Sequence, residues 1–201
     1  LSAHGETKVA PDTASLTLGV ETKGDTAAAA MAANAGLMTR VIAALGKAGV
    51  ATSDIATSQI NLAPQYLYQP NQPPRLTGYQ ADNQVTVTLA ELGKLGGVID
   101  AAVSAGATNV SGVSFSVANP VPADNTARVG AMKALQDKAA LYAQLAGYHI
   151  VRLVNLTEGA PEVGGPRPMF AMAQAKAVAT PVKPGQTTVG VDITAVFELA
   201  H

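Results

Sequence analysis

Tyr79-Gln80-Ala81-Asp82-Asn83-Gln84-Val85-Thr86-Val87-Thr88-Leu89 decides the fold class. Tyr79, Ala81, Asn83, Val85, Val87 and Leu89 share one strand face, and Gln80, Asp82, Gln84, Thr86 and Thr88 share the other, the period of two expected of a half-buried strand. Ile55 to Leu67 reads as a preceding strand. It leads into a tip, Tyr66-Leu67-Tyr68-Gln69-Pro70-Asn71-Gln72-Pro73-Pro74, too rich in proline for the middle of a sheet, so the pair reads as a long hairpin. Upstream, Ala14, Leu16, Leu18 and Val20 alternate with Ser15, Thr17, Gly19 and Glu21 in the same way. Downstream, Val191, Ile193, Ala195, Phe197 and Leu199 share the core face of a terminal strand over 187–199, with Val196 pointing the other way.

Helical spacing fills the intervals. Residues 27–48 carry Met31, Ala35, Met38, Ile42 and Leu45 at steps of three or four after an Asp25-Thr26 cap. Residues 93–104 offer Leu95, Ile99, Ala102 and Val103. Residues 126–146, capped by Asp124 or Asn125, offer Val129, Met132, Leu135, Ala139 and Tyr142, with Ala131, Ala134, Leu141 and Leu145 as a second row. Ala48-Gly49, Ala105-Gly106 and Ala146-Gly147 each close a helix before a strand-like segment, glycine being suited to the left-handed position after a helix. Val113, Phe115 and Val117 mark another strand, and the misphased Val110 predicts a bulge or turn near Gly112. Residues 150–158 are strand-like. The chain is therefore expected to be α/β in the α+β sense, with mainly antiparallel sheet elements, three helices packed on them and long irregular excursions. One domain over 1–201, or two small interlocked ones, suits the length, with an irregular excursion at 159–186.

Composition bounds the function. Hydrophobic residues make up 48% and charged residues 13%, with 13 basic against 14 acidic side chains. The charged fraction is about half the usual roughly 25%, so the surface is neutral enough for close protein contact. Dispersed basic residues give no field for a phosphate backbone, which argues against nucleic acid. No run of 18 or more apolar residues marks a transmembrane segment. Cysteine is absent, which removes thiol chemistry and Cys-ligated metal and is compatible with export.

Catalytic patterns are missing. His4, His149 and His201 form no HExxH and no close His/Asp pair. The run 159–165, Gly-Ala-Pro-Glu-Val-Gly-Gly, is neither a dinucleotide nor a phosphate-loop fingerprint, and its neighbourhood is acidic. No GxSxG elbow and no SxxK set appears. Acids on different strands, such as Asp12 and Asp192, read as dispersed surface groups. Asn109-Val110-Ser111 and Asn155-Leu156-Thr157 match a glycosylation acceptor, but in strand-like surroundings they read as edge or turn hydrogen bonding. No catalytic, cofactor or metal site is expected.

Apolar residues in segments unsuited to a core are more informative. Tyr66, Leu67 and Tyr68 adjoin the Pro-rich tip, and Met169, Phe170 and Met172 lie in the late excursion. They either fold back onto the parent domain or meet another protomer.

Gly5-Glu6-Thr7-Lys8-Val9-Ala10-Pro11-Asp12, Gly78-Tyr79-Gln80-Ala81-Asp82-Asn83-Gln84-Val85, Asp100-Ala101-Ala102-Val103-Ser104-Ala105-Gly106-Ala107 and the late Pro181-Val182-Lys183-Pro184-Gly185 occur in an order and spacing that resemble the SIMPL-domain family, which includes bacterial 26 kDa periplasmic immunogenic proteins. The resemblance runs from Ser2 to Leu199. It implies an exported α/β protein of the periplasm or cell envelope, a mature chain whose leader has been removed, and a tendency to large homo-oligomers. It supplies no catalytic residues. The expectation is a non-enzymatic homo-oligomer whose contacts include Tyr66, Leu67, Tyr68, Met169, Phe170 and Met172. The alternative is a binding module for an exported peptide or small envelope ligand through a strand edge.

Overall fold

A computed structural model describes residues 1–159, 162–167 and 182–201. The elements run β1 (Ser2–Val9), β2 (Thr13–Gly24), α1 (Ala27–Lys47), β3 (Ile55–Leu67), β4 (Arg75–Leu89), α2 (Leu95–Ala105), β5 (Asn109–Ser116), α3 (Val121–Ala146), β6 (His149–Glu158), β7 (Glu162–Arg167) and β8 (Gln186–Ala200). The fold is mixed α+β, with three helices on antiparallel sheets, as the alternation and helix spacing predict. There are two sheets, each in its own compact unit. The first unit contains Leu1–Pro11, the strands and helix that follow Val117, and Pro184–His201; the second contains Asp12–Ser116.

In the second unit the strand order is β3-β4-β2-β5, all antiparallel. Together with α1 and α2 this is the β-α-β-β-α-β arrangement of ferredoxin-like units. Leu16, Leu18 and Val20 of β2 and Val85, Val87 and Leu89 of β4 are buried against Met38, Val41 and Leu45 of α1 and Leu95, Val98 and Ala102 of α2. The expected bulge is present: the β2–β5 register shifts between Ser15 and Thr17, and Gly112 has φ 63°.

α1 starts where its cap predicts, with Thr26 accepting from the Ala29 N–H at 3.2 Å. Its buried row, however, is Ala30, Asn34, Met38, Val41 and Leu45, one step round from the expected Met31, Ala35, Met38, Ile42 and Leu45. Asn34 is the reason. Its Nδ2 donates to the carbonyls of Val20 on β2 and Ala81 on β4, each at 2.9 Å, so a polar side chain occupies a position that an apolar pattern skips. Among the described residues α1 is long and apolar enough to cross a membrane by length and composition. Its inner row is instead committed to this sheet.

In the first unit β8 is central. β1 pairs along one side of it, while β6 and β7 follow one another along the other. Strand β7 lies inside the segment expected to be irregular; Gly164, Gly165 and Pro166 hide it from any propensity reading. Helix α3 begins at Val121, five residues earlier than expected. Proline is tolerated in a first helical turn, and Asn119 Oδ1 accepts from the Val121 N–H at 3.2 Å, so the predicted Asp124 or Asn125 cap lies within the helix.

The α3 face also differs. Ala123, Ala127, Ala131, Leu135, Ala139 and Ala143 are buried, whereas the expected contacts Val129, Tyr142, Leu141 and Leu145 are exposed. Gly5 of β1 dictates this orientation, since a Cβ there would lie 2.1 Å from the Ala127 carbonyl oxygen and 2.3 Å from the Ala131 nitrogen. The helix backbone thus sits on the strand backbone, and only a small-residue row fits between them. In α2 likewise Val98 is buried and Val103 is exposed, because Leu95, Val98 and Ala102 set the inner row. The three Ala-Gly closures hold: Gly49, Gly106 and Gly147 have φ of 93°, 111° and 78°.

Gly5→Ala should lower unfolding stability in urea by at least about 2 kcal/mol, because the added methyl overpacks against helix backbone that cannot yield. Gly36→Ala, on the exposed side of α1 with nothing within 4 Å, should raise it by about 0.5–1 kcal/mol.

Candidate functional site

The hairpin β3–β4 runs past the sheet that holds it. β2 pairs with β4 only as far as Gly24 opposite Tyr79, whereas β3 continues to pair Gln65, Tyr66 and Leu67 with Gly78, Leu76 and Arg75. The result is a two-stranded arm closed by a turn, with Asn71 at φ 60° and the Gln72 N–H donating to the Gln69 carbonyl. Tyr66, Leu67, Tyr68 and Leu76 are exposed on it, Tyr68 to 74%. The two tyrosine rings lie 6.5 Å apart at a tilt of 55°, an aromatic pair that presents one apolar surface. Composition near the tip identified Tyr66, Leu67 and Tyr68; it missed Leu76, and also Ile60 and Leu62 further down β3. The signal for those two was the absence of any charge along β3. Met169, Phe170 and Met172 lie outside the described residues.

A second feature belongs to the first unit. Ala139, Tyr142, Ala143 and Ala146 of α3 face Ala195, Phe197 and Leu199 of β8 across a groove of about 400 Å³ that also meets Leu1. The alanine row that brings α3 close to β1 leaves this space beside it. On the same side of the sheet Leu153 and Leu156 of β6, opposite Phe197 and Ala195, are also exposed.

Several polar groups among the described residues meet in pairs. β1–β8 pairing sets His4 opposite Asp192, with Nδ1 and Oδ1 3.0 Å apart. Residues 188 apart in sequence give no spacing signal. Both are about half exposed, which makes this a solvated surface contact. The Tyr148 ring lies 3.9 Å from that of His201, and His149 begins β6. Arg128 of α3 donates from Nε to both Glu158 carboxylate oxygens, at 2.9 and 3.1 Å, and from Nη1 to Asn125 Oδ1. That hydrogen bond, with the Arg128 charge adding to it and partial desolvation opposing it, holds the Glu158 carboxyl below the usual carboxylate range. Among the described residues no group of three or more His, Asp or Glu could hold a metal ion.

Sequence comparison places these features in context. The family model described as "SIMPL: Protein of unknown function (DUF541)" matches residues 1–197. This chain belongs to the SIMPL family. The SIMPL chain is 31% identical over 210 residues to the 26 kDa periplasmic immunogenic protein of Brucella melitensis biotype 1, covering 99% of this chain and 83% of that one. The same identity and coverage hold for the protein of that name from Brucella abortus strain S19. It is also 33% identical over 122 residues to the uncharacterized protein YggE of Escherichia coli K12, covering 61% of this chain and 49% of YggE. These relationships support a periplasmic or cell-envelope location. The matching family description assigns no biochemical role.

The Arg128–Glu158 pair joins α3 to the end of β6, and its effect has a definite sign. A carboxylate whose folded pKa is depressed contributes stability above its unfolded pKa and loses it as pH falls through the folded value. In an NMR titration Glu158 should therefore lose its charge at lower pH than an ordinary glutamate, and Arg128→Gln should return it to the ordinary range; an unchanged midpoint would show that the contact does not form in solution.

Proposed function

We propose that this chain is a non-enzymatic protein of the periplasm or cell envelope that associates with copies of itself, and that the β3–β4 arm is one contact element. The observation that carries this reading is the exposure of Tyr66, Leu67, Tyr68 and Leu76 on a hairpin that has left its own sheet behind. Large side chains in a core bury themselves against neighbours; on a projecting arm they gain comparable shielding from another molecule, worth about 1.5–3 kcal/mol for each fully covered aliphatic or aromatic group. Two tyrosines suit the task, because their rings are rigid and apolar while their hydroxyls remain at the wet margin. Low charge density across the chain removes a barrier to self-contact. Met169, Phe170 and Met172 join this proposal on their sequence alone.

A second reading, a binding module for an exported peptide or small envelope ligand, is favoured by the groove between α3 and β8. Its volume and apolar lining fall within the range of small-molecule sites.

Light scattering at micromolar concentration should give a mass of at least two chains for the unaltered protein, and Tyr66→Ser with Tyr68→Ser should reduce the associated fraction severalfold while leaving the circular dichroism unchanged. A monomer throughout would defeat self-association. The groove predicts saturable binding of a hydrophobic fluorescent probe, weakened at least threefold by Ala146→Trp at its rim; equal binding by both proteins would remove the second reading.

A further inference from the structure

Unpaired N–H and C=O groups on a sheet edge are a template for another strand, and folded proteins commonly blunt such edges with charge, bulges or short length. Most described edges here carry one of these devices. β1 presents His4, Glu6 and Lys8. β6 carries His149, Arg152 and Glu158 and shifts register twice. β5 is eight residues long and is interrupted by its bulge.

β3 differs. Among the described residues it pairs only with β4, and Ile55–Leu67 contains no Asp, Glu, Lys, Arg or His over 13 residues. Its register shifts fall between Thr57 and Gln59 and between Gln65 and Tyr66, so residues 59–65 run unbroken along β4. Ile60 and Leu62 lie opposite Asn83 and Ala81. Ala81 is fully buried on the helix side, yet Ile60 is 60% and Leu62 40% exposed.

Backbone chemistry calls for an extended chain here, and the side-chain order specifies which chain. Gln59-Ile60-Asn61-Leu62-Ala63 has an apolar residue on each side of a central polar one. Laid antiparallel on itself about Asn61, it sets Ile60 against Leu62 twice and Asn61 against Asn61, with no charge to repel its twin. The same register sets Ser58, at the register shift, against Pro64, which has no N–H, so both copies stop pairing at the same points.

We propose that a second copy of this chain docks on β3 through its own β3, antiparallel and centred on Asn61, joining two four-stranded sheets into one of eight. This rests on the self-association proposed above and names its surface. A five-residue strand pair alone falls short of the roughly 1,200 Å² that specific interfaces bury. The arm continues from the same strand, and Tyr66, Leu67 and Tyr68 extend the apolar surface beyond it.

The chain has no cysteine, which permits a clean test. In the proposed register residue 61 faces its own copy with a Cα separation of about 4.5–5.5 Å, within disulfide reach. Full-length Asn61→Cys should form a covalent dimer on mild oxidation, whereas Gln59→Cys, which faces residue 63, should cross-link at least tenfold less. Leu62→Lys, checked for folding by circular dichroism, should lower the light-scattering mass at least twofold, and it decides the question if the cysteine variant does not fold. An unaltered protein that is monomeric overturns self-association and this docking together. An oligomer in which Asn61→Cys folds but does not cross-link, or in which cross-linking is alike at 59 and 61, overturns β3 pairing and leaves self-association standing. So does an unchanged mass for Leu62→Lys where the cysteine variant does not fold.

Discussion

An α-helix with its side chains is roughly 10–12 Å across, and strands in a sheet lie about 4.8 Å apart, so one helix shields about two strands. In the first unit α3 lies over β1 and β8 and leaves β6 mostly uncovered. In the second, α1 and α2 bury the inner faces of β2 and β4, and of β3 Ile55 packs on that core while Ile60 and Leu62 stay exposed. Each unit therefore has an edge strand whose helix-side residues look apolar in sequence and stay accessible in the folded chain: Ile60 and Leu62 on β3, Leu153 and Leu156 on β6. The two edges are managed differently. β6 is twisted by bulges and dressed with charge, and β3 is neither dressed with charge nor interrupted between residues 59 and 65.

Strands covered on one side and wet on the other were legible in the amino-acid order. β2, β4 and β8 alternate because their two faces meet different solvents, and the three Ala-Gly closures mark helix ends through backbone geometry alone. The inward faces of the helices were not legible in the same way. An apolar-periodicity reading rewards large residues, but α3 turns Ala127 and Ala131 toward Gly5 and leaves Val129 and Leu145 outside. For α1 the reading fails at Asn34, whose amide is satisfied by two carbonyls that lie 14 and 47 residues away in sequence. Contacts of that kind are properties of the assembled layers and leave no local trace. The candidate surface was half legible: proline beside tyrosine announced the arm, whereas Ile60 and Leu62 looked like ordinary core residues until the width of the helical cover was known.

Among the described residues of this SIMPL protein, charged side chains meet in exposed pairs. His4 and Asp192 meet on an open strand face in contact with solvent. Glu158 is held by Arg128 at a margin of the first unit and serves as a tie between helix and strand. Exposed apolar side chains lie on the arm, along β3 and around the groove beside α3, and also on the outer face of α3, where Val129 is 71% and Leu145 75% exposed.

The first unit is closed by strands from opposite ends of the polypeptide, with Ser2 opposite Thr194 and Val9 opposite Thr187. Loop closure over nearly the whole sequence is slow compared with local pairing. Residues Asp12–Ser116, by contrast, hold all the strands and helices of the β-α-β-β-α-β arrangement, with Val182 from later in the chain packed on their core. A chain emerging N-terminus first can assemble that inner unit while β1 remains unpaired, and β1 finds its neighbour only when the last strand has arrived. A molecule cut short before β8 would keep the residues of the second unit while β1 remained without its partner strand.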